Sequence, residues 1–209
     1  MDATVAGGRD TIGLRVPAHP LALQLLEAFD GGIAAPSANH FGRVSPTTAA
    51  HVCADLGDEV NLILDGGPCT IGVESSIVDV TVEPPALLRP GGIPLEALEA
   101  IVGGPVHTDD GGVSRAPGML ASHYAPVARV EVVEDASEAR RRVEELRTLG
   151  ERAEVLDPGP DPDHYARQLY SWLRAADDSG VTTLVAVPPP AVGLGWAVRD
   201  RLRKAAAPR

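Results

Sequence analysis

The sequence has few of the residues on which several specialised classes of protein depend. Aromatic residues make up only 3% of the 209 positions, and there are two cysteines, Cys53 and Cys69. Two cysteines are too few for a disulfide framework, and neither belongs to a CxxC pair, which disfavours a zinc site. No apolar run approaches the roughly 20 residues that span a bilayer, and no secretory leader follows Met1. We therefore expect reduced thiols in a soluble, cytoplasmic protein.

Motifs for metal-dependent and nucleophilic catalysis are also missing. The six histidines show no HxH or HExxH spacing, and no Ser-His-Asp arrangement follows from spacing. The glycine-rich stretch Gly66–Gly72 lacks the Gly-Lys-Ser/Thr of a Walker A loop, and the only lysine is Lys204. Glu74 and Asp79 could hold magnesium through water, but they could equally cap strands or pair with arginine. The sequence therefore gives little support to a metal centre.

The net charge of −11 argues against tight binding of nucleic acid. Such binding, when it is independent of sequence, needs clustered positive charge facing the phosphates. No basic patch stands out along the chain, so direct RNA binding is disfavoured.

What the sequence does contain is enough apolar material for α/β cores, at 44% hydrophobic residues. Residues 1–103 alternate short apolar runs with Gly/Pro turns, which predicts a mixed α/β layer. Strands are predicted at Thr11–Val16, Ile33–Ala35, Val60–Leu64, Ser75–Val82 and Ala86–Arg89. Helices are predicted at Leu21–Phe29, from Ser45 to about Gly57, and at Pro94–Val102.

The pattern breaks at residues 104–126 and starts afresh after them. Gly104–Pro117 is dominated by Gly, Pro, Asp and Ser, which is typical of a linker. Residues 127–209 then alternate strands with helices, which predicts a small parallel sheet. The predicted strands are Val127–Val133, Ala153–Leu156 and Val181–Val187, and the helices are Ala136–Leu149, His164–Ala176 and Trp196–Ala206.

Polar groups that could bind a ligand follow or lie on the predicted strands of the first region. Ser37 and Asn39 share one extended segment, which suits a phosphate or a base edge but is also good turn chemistry. Arg89 lies at a strand end beside glycines, where a guanidinium can hold phosphate or carboxylate, although a surface arginine is the commoner case. Arg15 lies on a core-like strand, where a charge needs a partner. Ligands of open α/β sheets bind at such strand ends.

A set of segments in fixed order is more specific than any single loop. The set comprises Thr11-Ile12-Gly13-Leu14-Arg15-Val16-Pro17, Ala35-Pro36-Ser37-Ala38-Asn39, Ser45-Pro46-Thr47, Gly72-Val73-Glu74-Ser75-Ser76-Ile77-Val78-Asp79 and Leu88-Arg89-Pro90-Gly91. Together these segments closely resemble the YrdC-like domain of the threonylcarbamoyl-AMP synthase family. Ala116–Pro126 resembles the linker of its two-domain members, and Gly193–Leu202 resembles the end of their C-terminal domain.

The resemblance covers nearly the whole chain and implies an α/β fold in three parts. Residues 1–103 would be the C-terminal part of a YrdC-like twisted mixed-sheet domain, and residues 104–126 the interdomain linker. Residues 127–209 would form a small parallel Rossmann-like α/β domain.

The same resemblance implies a nucleotidyltransferase reaction. Threonine, bicarbonate and ATP would give threonylcarbamoyl-adenylate and diphosphate, with magnesium as the expected cofactor and a downstream tRNA-modifying transferase as a partner. Threonine binding would fall to Arg15 and Ser75. The expected ATP-binding residues are Thr11, Ser37, Asn39, Ser45, Arg89 and Tyr124, of which Tyr124 would close the site from the linker. No catalytic residue is assigned, because catalysis of this type is mostly positioning and charge stabilisation.

The chain departs from the family at its beginning. Family members start with roughly a hundred residues that have no counterpart here, about the size of a small domain. That part carries a Lys-x-Arg motif and further binding residues, which nothing in this chain replaces. The resemblance thus predicts an N-terminally truncated member, and it disfavours catalysis by this chain alone.

Three other interpretations compete with the synthase. A double-stranded-RNA-binding module would need the positive charge that the chain lacks. A non-catalytic YrdC-like fragment would have no Lys-x-Arg segment encoded upstream in frame. The related carbamoyl-transfer domain of hydrogenase maturation proteins is disfavoured, because the linker and C-terminal region match the synthase type.

Overall fold

The computed structural model of the chain describes residue 6, residues 8–108 and residues 124–208. It divides into a compact unit of residues 1–37 and a larger one of residues 38–209. The described part of the first unit contains one helix, α1 (Pro20–Phe29), which confirms the predicted helix. Proline at its first position needs no amide donor there, and the His19 ring accepts the amide of Leu21 at 3.2 Å.

Three predicted strands are wrong. The segments Thr11–Val16, Ile33–Ala35 and Val60–Leu64 are irregular in the structure. Alternating β-branched residues favour an extended backbone, but a strand also needs a neighbour that takes up its backbone hydrogen bonds. In the described ranges these three segments pair with no strand.

The larger unit begins with a mixed layer. Helix α2 (Ala49–Leu56) starts at Thr48, whose hydroxyl accepts the amide of His51, and a 3₁₀ turn (Gly57–Glu59) follows. Strand β1 (Ile77–Asp79) pairs antiparallel with β2 (Ala86–Arg89), and β2 pairs parallel with β3 (His107–Thr108). Helix α3 (Leu95–Val102) connects β2 to β3. The layer is therefore a three-stranded mixed sheet with short helices.

The predicted alternation of strands and helices after residue 127 is confirmed. The elements are β4 (Arg129–Val132), α4 (Ala136–Thr148), β5 (Ala153–Leu156), α5 (Pro162–Asp178), β6 (Thr183–Ala186) and α6 (Gly195–Ala206). All three strands are parallel in the order β4-β6-β5. Asp135 and Asp161 cap α4 and α5 by accepting two backbone amides each.

The parallel sheet is covered on both faces. Along β6, Val185 packs with α4, whereas its neighbours Leu184 and Ala186 belong to the cluster built from α5 and α6. This follows from the period of two in a strand, where successive side chains point to opposite faces. The aliphatic core that the composition predicted therefore lies mainly in this C-terminal layer.

Burial differs sharply between the two halves. Helices α1, α2 and α3 contain no buried residue, although each is amphipathic in sequence. Helix α5 alone has six buried residues. Most of the exposed large hydrophobic side chains also precede residue 103.

The structure describes the two ends of the predicted linker, residues 104–108 and 124–126. Residues 109–123 lie outside the described residues, β3 occupies residues 107–108, and Tyr124 to Pro126 are buried. The two sheets share no strand, but the larger compact unit runs across the linker. The boundaries at 103 and 127 therefore remain a proposal. Within the ranges given above, no helix is both long and apolar enough to cross a membrane.

A forked ion pair ties α5 to the mixed layer. Both terminal nitrogens of Arg174 donate to the Asp55 carboxylate, at 2.8 and 2.6 Å, and one of them also reaches the carbonyl oxygen of Val44 at 2.6 Å. Both side chains are more than four-fifths buried. The hydrogen bonds from Arg174 hold the pKa of Asp55 below its ordinary value. A charge-assisted, bidentate contact between partly buried side chains is one of the stronger kinds of hydrogen bonding.

Replacing Asp55 by asparagine should lower the free energy of unfolding by about 1.5–3 kcal/mol at pH 7, since the hydrogen bonds involve a charged group. Because the pKa of Asp55 is depressed on folding, its contribution is complete above the unfolded pKa and is lost as the pH falls through the folded pKa. The gap between wild type and variant, measured by urea unfolding, should therefore close in acid. Asp58→Asn removes an equal charge from an exposed position and should change stability by less than about 0.5 kcal/mol. Equal costs for the two variants would contradict the ion pair's role.

Candidate functional site

The predicted site residues fall into both compact units. Thr11, Arg15 and Ser37 belong to the first unit and are exposed. The other five, which belong to the larger unit, are Asn39, Ser45, Ser75, Arg89 and Tyr124. The structure brings all of these except Asn39 into one network. That Arg15, Ser37, Ser75 and Arg89 converge on one cavity stays a prediction, made because each lies at or near a predicted strand end.

Arg89 and Ser75 are in direct contact. Arg89 ends β2 and is 4% exposed, and its guanidinium donates to the carbonyl oxygen of Ser75 at 3.1 and 2.7 Å and to its hydroxyl at 3.2 Å. The register of the sheet causes this, because Arg89 lies opposite Ile77, two residues after Ser75. Burial lowers the pKa of Arg89 below its ordinary value. The predicted phosphate ligand therefore also fixes the loop that carries the predicted threonine ligand.

Tyr124 enters the same network from the C-terminal end of the predicted linker. It is 2% exposed, and its hydroxyl hydrogen-bonds with Arg89. Its ring lies under the guanidinium of Arg201, 4.8 Å from the ring centroid, and stacks on Tyr170 at 6.0 Å. Burial raises the pKa of Tyr124, so the phenol is protonated at neutral pH. Tyr124 is thus held in place by two arginines and a second aromatic ring.

Asn39 shapes a neighbouring turn. Its side-chain amide nitrogen donates to the carbonyl oxygens of His40 and Arg43, at 2.9 and 3.1 Å. The same turn accepts the amide of Ala125 at the carbonyl of Gly42, at 3.0 Å. The buried amide oxygen of Asn39 has no hydrogen-bond partner in the described part of the chain. Asn39 therefore supports the turn to which Ala125 is tied, and it keeps one acceptor free.

The Glu74 carboxylate connects Ser45 to the C-terminal layer. It accepts the Ser45 hydroxyl at 2.6 Å, the Tyr170 hydroxyl at 2.9 Å and Nε of Arg201 at 2.8 Å. Burial alone would raise the pKa of Glu74, but the charge of Arg201 and the hydrogen bonds from Ser45 and Arg201 outweigh it and lower the pKa. Glu74 is therefore a largely buried, ionised acceptor shared by three parts of the fold.

Arg201 balances that charge. It is fully buried on α6, and besides Glu74 it donates to the Asp200 carboxylate at 2.5 Å and to the carbonyl oxygen of Pro90 at 3.0 Å. Asp200 in turn accepts Nζ of Lys204 at 2.7 Å and the guanidinium of Arg203 at 2.9 Å. Every charge in this cluster has a partner of opposite sign, as burial requires.

Sequence reasoning missed the roles of Arg201 and Tyr170. A signal was present: Val198, Arg201, Leu202 and Ala205 fall on one helical face, so Arg201 interrupts an apolar stripe. A charge at such a position needs a buried counter-ion. Periodicity cannot say that the counter-ion is Glu74, 127 positions away.

The described residues show no cluster of candidate metal ligands. They contain no group of three or more His, Cys, Asp or Glu side chains placed to share a metal ion. Of the two acidic residues considered above, Glu74 is occupied by its three donors, and Asp79 accepts both the amide and the hydroxyl of Thr81.

Chemically, the network offers binding and charge stabilisation. It contains hydroxyls, arginines and the Glu74 carboxylate, which accepts the Ser45 hydroxyl. Such a site suits a reaction driven by positioning of the reactants.

Comparison with known proteins gives the decisive observation. A family model described as telomere recombination matches residues 1–91, and one described as the C-terminal domain of threonylcarbamoyl-AMP synthase matches residues 93–207. The chain belongs to the threonylcarbamoyl-AMP synthase family. The predicted resemblance is thereby confirmed.

Individual members of the family agree with this assignment. The chain is 42% identical to the threonylcarbamoyl-AMP synthase of Pyrococcus abyssi, over 96% of this chain and 65% of the relative. It is 38% identical to that of Bacillus subtilis, over 98% of this chain and 66% of the relative. The chain spans slightly less than two thirds of the length of these synthases.

The fold is also that of a solved family structure. The crystal structure of P. abyssi Sua5 complexed with L-threonine superposes with a TM-score of 0.91 at 40% identity, covering 98% of this chain and 66% of that one. This confirms the predicted fold class of a mixed α/β layer combined with a small parallel α/β layer.

Proposed function

We propose that this chain forms part of an L-threonylcarbamoyladenylate synthase, a nucleotidyltransferase that acts in tRNA threonylcarbamoyladenosine modification. The observation that carries the proposal is the match of both halves of the chain to the synthase family, together with a threonine-bound relative of the same fold. The substrates are threonine, bicarbonate and ATP. The product would pass to a downstream tRNA-modifying transferase.

The reaction consists of two bond-forming steps. The threonine amine attacks the carbon of bicarbonate, water leaves, and a carbamate results. A carbamate oxygen then attacks the α-phosphorus of ATP, the bond to the β-phosphate breaks, and diphosphate leaves. Both steps bring anions together, so cationic and hydrogen-bond donors around them lower the barrier.

The residues of this chain are assigned to binding and orientation. Arg15 is assigned to the threonine carboxylate. Ser75 is also assigned to threonine binding, in the geometry that Arg89 imposes on its carbonyl. Thr11, Ser37 and Ser45 contact the nucleotide. The free amide oxygen of Asn39 suits a donor such as an exocyclic amino group of the base. Tyr124 closes the ATP site, in contact with Arg89.

Full activity should need residues that this chain lacks. The Lys-x-Arg motif expected of the family is absent, and the only lysine, Lys204, is committed to Asp200. Loss of one preorganised donor typically costs about a hundred- to a thousand-fold in rate.

The test compares two versions in a diphosphate-release assay with threonine, bicarbonate and ATP. The 209-residue chain should release no detectable diphosphate. A version extended upstream in its reading frame, so that it includes a Lys-x-Arg segment, should release diphosphate only when threonine is present. Omission of threonine is the control. An extended version without threonine-dependent turnover would refute the proposed function, and equal turnover by the short chain would refute the need for further residues.

A further inference from the structure

The loop Gly72–Ser76 is held from two sides. On one side, the carbonyl oxygen of Glu74 accepts the amide of Gly92 at 2.8 Å, and the carbonyl of Ser75 accepts Arg89. On the other side, the Glu74 carboxylate is held by α5 and α6 through Tyr170 and Arg201. The backbone of the loop is therefore held by the mixed layer, and the Glu74 side chain is held by α5 and α6 of the C-terminal layer.

The two attachments meet at neighbouring residues. Glu74 and Ser75 are consecutive, so only the Glu74 side chain and one peptide unit separate the contacts with α5 and α6 from Ser75. That peptide carries the amide of Ser75, and the next carbonyl is the one that binds Arg89 at 2.7 Å. The route from α5 and α6 to Ser75 is therefore short.

Tyr124 shares one of these attachments. Its ring lies against Arg201, the residue that also donates to Glu74. Tyr170 contacts the Tyr124 ring as well, but by stacking, whereas its hydroxyl serves Glu74 alone among the hydrogen bonds of the described chain. The two side chains can therefore be separated by mutation.

We propose that Tyr170 and Arg201 are positioning residues of the synthase site, acting from the C-terminal layer through Glu74 on the amino-acid pocket at Ser75. Arg201 has a second task, which is to seat Tyr124 over the nucleotide. The inference rests on the proposed function for the identity of the pockets. The holding of the loop itself does not depend on it.

Tyr170→Phe tests the first task with a matched control. The variant keeps the ring and its stacking but loses the hydroxyl that donates to both Glu74 oxygens. Tyr165→Phe is the control, because Tyr165 lies on the same helix, is equally buried, and its hydroxyl has no hydrogen-bond partner in the described ranges. The measurement is hydrogen exchange of the Gly92 amide in the 209-residue chain, relative to the amides of β6. Exchange should accelerate about ten-fold in Tyr170→Phe and stay unchanged in Tyr165→Phe. The reason is that a hydrogen bond to a charged group is lost only in Tyr170→Phe.

The functional measurement uses the upstream-extended version. Tyr170→Phe should raise KM for threonine about ten-fold with kcat within about two-fold, since uniform binding of the amino acid is weakened. Arg201→Lys keeps the charge but cannot reach Glu74, Asp200 and Pro90 together, and it should raise KM for both threonine and ATP.

Each outcome decides a separate point. Equal Gly92 exchange in Tyr170→Phe and Tyr165→Phe would show that Tyr170 does not hold the loop. Faster exchange with an unchanged KM for threonine would show that the loop is held for reasons unrelated to the substrate, and would also overturn the inference. An extended wild-type protein without turnover would refute the proposed function, while the exchange experiment would still decide whether Tyr170 holds the loop.

Discussion

Replacing Arg201 by methionine is expected to lower the free energy of unfolding by about 3–5 kcal/mol at pH 7. Methionine fills much of the same volume, so the cost is mainly electrostatic. Glu74 keeps the Ser45 and Tyr170 hydroxyls but loses its buried counter-ion, and Tyr124 loses the guanidinium against its ring. Urea unfolding measured by circular dichroism gives the difference directly.

Arg203→Met provides the control for this prediction. Arg203 lies on the same helix and pairs with the same Asp200 as Arg201, but its side chain is 78% exposed. Exposed ion pairs contribute little, so this variant should change the free energy of unfolding by less than about 1 kcal/mol. Similar losses in the two variants would contradict the view that burial gives Arg201 its importance.

The pH dependence sharpens the same comparison. In the wild type the pKa of Glu74 is lowered, so its contribution to stability is complete above the unfolded pKa and is lost as the pH falls through the folded pKa. Without Arg201, burial is no longer opposed by a charge and the pKa of Glu74 should rise. The variant then gains stability, relative to neutral pH, as the pH falls through that raised pKa. The difference in free energy of unfolding between wild type and Arg201→Met should therefore shrink on acidification from neutral pH to about pH 4, the ordinary range of a glutamate. A difference that grows on acidification would exclude Glu74 as its source.

How far the sequence could predict the fold depended on where the hydrogen bonds and the core lie. The elements of the C-terminal layer were predicted closely because its helices bury their own apolar stripe, as in α5, and its short β strands pair with one another. Thr11–Val16 was predicted as a strand on equally good alternation, yet the described structure gives it no neighbouring strand. Periodicity describes the side chains, but a strand depends on a partner that can lie anywhere in the chain.

The candidate site shows the same limit. Arg89 could be singled out from its position at a strand end and Ser75 from the family resemblance, and the structure brings them into contact. Arg201 could be recognised as a charge in an apolar stripe, but its pairing with Glu74 depends on how the two layers pack. Tyr170 gave no signal at all, because a tyrosine on the buried face of a helix is indistinguishable from other core residues until its hydroxyl partner is known.

Close packing between the glycine-rich loop and α5 leads to a second large effect. Gly72 has a φ of +87°, and a Cβ there would lie 2.5 Å from the Cα of Arg167 and closer still to the carbonyl oxygen of Ala166. Gly67, in the same loop, has a φ of +83°, but a Cβ at that position would meet nothing within 4 Å. The two glycines therefore share the backbone conformation and differ in their surroundings.

Gly67→Ala should cost about 1–2 kcal/mol, which is the penalty of a left-handed backbone for a residue with a Cβ. Gly72→Ala should cost that amount plus about 1–3 kcal/mol, because the neighbouring atoms belong to the backbone of α5 and either the helix or the loop must move. Ala166 is one helical turn from Tyr170, so this movement should also lengthen the hydrogen bonds between Tyr170 and Glu74 and accelerate exchange of the Gly92 amide. Urea unfolding and hydrogen exchange on both variants measure these effects. Equal destabilisation by the two substitutions, with unchanged exchange at Gly92, would show that the loop is not held by direct contact with α5.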